Sequence, residues 1–181
     1  FLLLIVLMSC KNDSKTISEL ENIHSSIKTM FAPDKRVELF DIQFSNLNDH
    51  LTLKGETTSK KAFGILLDSL NNRKIKFTNK VRFLPDSAVG NQQFAVARNS
   101  VINIRSNPKH SAELGTQGLL GMSLRVLDKK GDFYRIQTPD NYISWVDKGG
   151  ITRMNSTEID IWNQAKKIIF TKNFGYTYVD K

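Results

Sequence analysis

Few residues in this chain have side chains suited to bond-breaking chemistry. There is one cysteine, Cys10, and there are three histidines, His24, His50 and His110. A thiol nucleophile needs a base within hydrogen-bond reach, and Cys10 sits at the end of an apolar run, FLLLIVLMSC. No His has a second His, Cys or carboxylate at metal-ligand spacing, so no metal and no cofactor is expected. HExxH, GxSxG and Gly-rich phosphate loops are absent from the sequence. The chain is therefore expected not to catalyse. The remaining candidates are binding residues. The run KKGDFYRIQTPDNYISWV, Lys129 to Val146, contains Tyr134, Tyr142 and Trp145, and Arg105 lies upstream. Tyr and Trp offer flat apolar surface with a polar tip, and a guanidinium pairs with a carboxylate. Arg105, Tyr134, Tyr142 and Trp145 are the ligand-binding candidates. Core or edge packing is the competing assignment for each aromatic.

The elements that must position these residues follow from periodicity. Ile17, Leu20, Ile23, Ile27 and Met30 recur at three- and four-residue spacing, which predicts an amphipathic helix ended by Pro33 and Asp34. VELFDIQFSNL and HLTLKGET alternate around Asn48-Asp49 and predict a hairpin. Ser59 is a candidate N-cap for a helix with Ala62, Ile65, Leu66 and Leu70 on one stripe. IKFTNKVRFL closes as a strand. The order helix-strand-strand-helix-strand predicts an α+β module over 16–90, with helices on one face of a small antiparallel sheet.

Beyond it, short strands with turns at Gly121, Lys130-Gly131-Asp132 and Pro139-Asp140-Asn141 predict an all-β barrel of about five strands over 94–154. Alternation along DFYRIQT puts Phe133 and Tyr134 on opposite faces, one in the core and one exposed. In 155–181, Asn155 and Ser156 cap a helix that Trp162 docks, and KIIFTKNFGYTYV then reads as strand, turn and strand.

Charge gives a weaker signal. Lys and Arg number 26 against 18 Asp and Glu, for a formal charge of +8. Such an excess attracts polyanions. No run of Lys or Arg exceeds two residues, so no basic arm for nucleic acid is expected. The apolar run at the start, ten residues long, is too short for about 30 Å of hydrocarbon. It fits the core of an export signal.

Three stretches resemble known families. LMSC resembles a bacterial lipobox, which implies lipid attachment at Cys10, a leader and tether over 1–15, and a membrane-anchored envelope protein. Lys11 after the cysteine implies the outer membrane, facing the periplasm. LTLKGETTSKKAFGILLDSL, with Gly55 between strand and helix, resembles a BON-like domain, which implies envelope attachment. INIRSNP and ELGTQGLLGMSLRVLDKKGDFYRIQTPDNYISWVDKGGI resemble a bacterial SH3 barrel. The nearest resemblance is to barrels preceding NlpC/P60 cysteine peptidases in Bacteroidetes-type lipoproteins.

Two positions depart from that pattern: Phe133 stands where Trp is usual, and Ser144 where Gly is usual. The resemblance implies a non-catalytic region that recognises peptidoglycan stem peptides. It implies a second SH3-like domain opening at 155–181 and a downstream domain, in the same polypeptide, that cleaves the γ-D-Glu–diamino acid bond. Two functions stay open: wall-peptide recognition, or a structural scaffold for the peptidase with no ligand of its own. Nucleic acid is not an expected partner.

Overall fold

Helix α1 spans Ser9–Phe31 and buries Leu20 and Ile27, with Ile23 packed beside them. The computed structural model describes residues 9–47, 50–169, 171 and 176, with side chains described from Ile17 onward. The stretch Lys11–Ser18, expected as a tether, is helical. It holds no Gly or Pro to break a helix and runs directly into the amphipathic face. Residues 1–8 of the apolar run expected as a leader, and the side chain of Cys10, lie outside this description. Among the described residues, no helix is long and apolar enough to cross a membrane.

Strands β1 (Phe40–Leu47) and β2 (His50–Thr57) pair antiparallel, in register from Phe40↔Thr57 to Leu47↔His50. The Asn48-Asp49 turn between them lies outside the described residues. Helix α2 (Lys60–Asn72) is capped by Ser59, whose side chain accepts the Ala62 N–H, and it buries Ala62, Phe63, Leu66 and Leu70. Strand β3 (Phe77–Phe83) then lies parallel to β2. The sheet, in order β1-β2-β3, is thus mixed rather than antiparallel. A helical crossover returns the chain in the direction it started, whereas a tight hairpin reverses it. Both helices contribute to one core, around Phe40, Leu53, Leu66 and Leu70.

Gly55 in β2 has φ +127°, and a Cβ there would lie 1.9 Å from the Asp41 carbonyl oxygen. Only glycine fits such backbone without strain. Gly55→Ala is expected to cost about 2 kcal/mol in chemical denaturation. Gly64→Ala is the control: nothing lies within 4 Å of a Cβ at Gly64 in α2, so this change should stabilise by about 0.5 kcal/mol or more. A Gly55→Ala chain as stable as wild type would contradict the close approach.

The second half is one antiparallel sheet of seven strands. They are β4 (Phe94–Ala97), β5 (Val101–Arg105), β6 (Leu114–Leu119), β7 (Ser123–Lys130), β8 (Phe133–Gln137), β9 (Ile143–Asp147) and β10 (Ile151–Met154). Their order is β10-β4-β7-β8-β9-β5-β6. Two more strands are present than the five expected. FAVARNSVINIR reads as one alternating run but bends between Ala97 and Val101, giving β4 and β5, and β10 pairs onto β4. The core of this half is built around Ile104, Val126, Ile136 and Val146.

Helix α3 (Ser156–Gln164) opens with a capping box between Asn155 and Glu158. Trp162 lies over Gly121, and Ser123 Oγ donates to Asn163 Oδ1 at 3.1 Å. Lys166 to Ile169 have no regular structure. Most of the strand-turn-strand reading of the tail lies outside the described residues.

The two halves meet at a small apolar cluster, in which Leu39 and Leu84 pack on Leu127 and Ile143. Backbone hydrogen bonds cross it, from Asp86 N to Leu127 O at 2.8 Å and from Ile143 N to Arg36 O. Beside it lies a network of charges. Arg82 donates to Glu56 at 2.8 Å, Asp86 at 2.8 Å and Asp128 at 3.0 Å. Arg135 donates to Glu56 from the other side.

Candidate functional site

Alternation along β5 sends Ile102 and Ile104 into the core and leaves Val101, Asn103 and Arg105 on the outer face. The neighbouring strands continue that face. Arg105 stands opposite Trp145 on β9, which in turn stands opposite Arg135 on β8, and one step along the hairpin Phe133 stands opposite Asp147. The loop from Ser106 to Ala112 folds back over this corner. Its turn is closed by Ser106 N to Glu113 O at 3.0 Å, and Arg105 Nη1 donates to Ala112 O at 2.8 Å.

The result is an open cleft of about 320 Å³. Arg105 and His110 both line it. The His110 ring lies 5.0 Å from Phe133 and its Nε2 3.5 Å from Asp147 Oδ2. Asp147 is oriented by the Gly149 N–H, which donates to Oδ1 at 2.7 Å. Beyond the cleft, Lys148 donates to Asp132 at 2.7 Å. That hydrogen bond holds the Asp132 carboxyl below the usual aspartate range and holds Lys148 above the usual lysine range.

The described residues lining the cleft include no Ser, Thr or Cys. Among the described residues no group of His, Cys, Asp and Glu could hold a metal ion. The cleft can instead hold a small ligand between a guanidinium and a carboxylate, over the edge of an aromatic ring.

The four candidates read from sequence are not brought together. Arg105 lines the cleft. Tyr134 is buried in the core on the opposite face; its hydroxyl accepts from Arg153 Nη1 at 3.3 Å, and the same guanidinium stacks 4.9 Å from its ring centre. Tyr142 is half-buried, with its hydroxyl against Gly115. Trp145 is only 7% exposed and lies under the Arg135 guanidinium at 4.7 Å.

The expectation that one of Phe133 and Tyr134 is exposed also fails, since both are buried. Strand β8 is central and covered on both faces. The core takes one face; the first half of the chain and the His110 loop take the other. His24 is half-buried, at the boundary of the first core. Its ring stacks on Phe40 at 4.9 Å, and burial lowers its pKa.

Sequence reasoning missed the His110–Phe133–Asp147 cluster, although a signal was present. A hairpin centred on the Pro139-Asp140-Asn141 turn puts Phe133 and Asp147 equally far from Asp140, and hence opposite each other. Ser144, the departure from the SH3-like pattern, is buried and donates to the Arg105 carbonyl. The extra hydroxyl ties β9 to β5 beside the cleft and does not line it.

No curated protein matches the chain. Residues 104–151, from near the end of β5 to the first residue of β10, match the family model of the bacterial dipeptidyl-peptidase SH3 domain, and this part of the chain is similar to that domain.

Proposed function

We propose that this chain is the non-catalytic, wall-recognising region of a lipid-anchored cell-wall peptidase. One observation carries the reading: Arg105, His110 and Asp147, the ionisable residues of the cleft, all fall inside the stretch that matches the SH3 family. A stem peptide of peptidoglycan has free carboxylates and short apolar side chains. Arg105 would take a carboxylate, Asp147 an amine, and Phe133 the apolar part between them. In this proposal Cys10 carries the lipid, the protein sits at the outer membrane facing the periplasm, and a downstream NlpC/P60-type domain of the same polypeptide performs the cleavage. The sheet of the second half closes as an SH3-like barrel, and the BON-like module serves as an adaptor.

A pull-down with purified peptidoglycan tests the proposal. Wild type should pellet with it, and Arg105→Ala and Asp147→Asn should each weaken binding by about tenfold, the usual effect of losing a charged hydrogen bond. Equal binding by all three chains would remove the cleft from the reading.

A second reading has its own support. The outer face of β8 and β9 already serves as a packing surface, where Arg135, Gln137 and Ile143 hold the first half of the chain. On this reading the domain is a scaffold for the peptidase and binds no ligand. A wild-type chain that leaves peptidoglycan untouched would favour it.

A further inference from the structure

The face of the β1–β2–β3 sheet turned away from its helices is basic. Leu51 and Leu53 of β2 point into the core, and Phe77 and Val81 of β3 pack against it. Thr52, Lys54, Thr78 and Lys80 therefore point the other way. The parallel register sets Lys54 directly opposite Lys80, on strands about 4.8 Å apart. Lys76 immediately precedes β3 and continues the same alternation. All three lysines are exposed, and none belongs to any ion pair among the described residues.

Like charges directly opposite on neighbouring strands repel; the acids of this face, Asp41 and Glu56, stand opposite each other two residues further along, and neither forms an ion pair with these lysines among the described residues. Lys54 faces Gln43 across β1. The nearest acid along β2 is Glu56, which is already engaged by Arg82 and Arg135. Around the lysines the face presents hydroxyls, and at its end His50 bonds Thr78 Oγ1 at 2.7 Å. An open, hydroxyl-bearing sheet face with three unpaired ammonium groups complements a polymer that carries repeated carboxylates.

We infer that Lys54, Lys76 and Lys80 form a second contact for the peptidoglycan polymer, taking carboxylates of neighbouring stems while the cleft holds a single stem. This rests on the function proposed above and adds multivalency to it, since a second linked contact raises avidity without changing the first. The triple variant Lys54→Gln, Lys76→Gln, Lys80→Gln of the 181-residue chain tests it. In pelleting with purified sacculi the variant should bind about tenfold more weakly than wild type at low salt, and the gap should close as salt rises. Affinity for a soluble stem peptide should not change.

Equal pelleting of variant and wild type would overturn the inference and leave the cleft reading intact. Failure of the wild type to bind either sacculi or soluble peptide would sink the proposed function itself. If the substitutions abolish binding to phosphatidylglycerol vesicles or to duplex DNA but leave sacculus binding alone, the face serves a different polyanion and the inference is wrong.

Discussion

Trp145→Ala should lower the melting temperature by roughly 10 °C. The indole is 7% exposed on β9 of the second sheet. Truncating such a side chain leaves a cavity and costs about 3–5 kcal/mol, and a chain of this size loses about 2–4 °C per kcal/mol. The change also removes the ring beneath Arg135, whose guanidinium stacks at 4.7 Å. If Trp145 were a groove residue meant for ligand, the same substitution would leave the melt within about 2 °C of wild type and abolish peptidoglycan binding. Thermal melting followed by circular dichroism, paired with the pull-down, separates the two outcomes.

Glu56→Gln should have the second-largest effect, through a different mechanism. Glu56 lies between Arg82 and Arg135. Replacing it leaves two guanidinium groups facing one another with less negative charge between them. Breaking a half-buried ion pair from one side costs less than breaking a fully buried one, about 2–3 kcal/mol here. Because the network joins the two halves, part of the loss should appear as separate unfolding of the halves instead of one transition.

The effect should depend on pH in a defined direction. Burial raises the Glu56 pKa, but hydrogen bonds and charge from Arg135 and Arg82 outweigh burial, and the carboxyl sits below the usual glutamate range. A carboxyl with a lower pKa in the folded chain stabilises it above the ordinary pKa and stops doing so as pH falls through the folded value. The stability gap between wild type and Glu56→Gln should therefore be full near neutrality and shrink below about pH 4. Denaturant midpoints across pH decide this, and a constant gap would rule out an ionised Glu56 as the cause.

Local structure was readable from sequence wherever one physical rule governs it. Ser59 caps α2 and Asn155 caps α3 because side-chain oxygens satisfy the first free N–H groups of a helix. The Leu51 and Leu53 alternation gives β2 its buried face. Pairing between distant strands was not readable in this way. The helical crossover that makes β3 parallel to β2 is what places Lys54 beside Lys80, while along the chain they are single lysines in separate segments.

The candidate site shows the same division. The aromatic-rich hairpin was found, yet alternation alone cannot say which face another part of the chain will cover. Trp145, a binding candidate with packing as its competing assignment, is buried under the Arg135 guanidinium. Arg105 lines the cleft, and the residues beside it, His110 and Asp147, come from a loop and a strand end, where periodicity carries no signal.

The two tryptophans, Trp145 and Trp162, are the only ones in the sequence, and they occupy different joints. One lies under Arg135, whose guanidinium joins the halves through Glu56; the other belongs to α3 and lies over Gly121, with Lys167 5.4 Å from its ring centre. Indole emission shifts to longer wavelength as the ring meets water, so intrinsic fluorescence carries two position-specific readouts without any attached dye. With Trp162 replaced by Phe, the remaining emission follows the separation of the two halves. With Trp145 replaced, it follows the release of the C-terminal helix. Each joint of the molecule already holds its own optical probe.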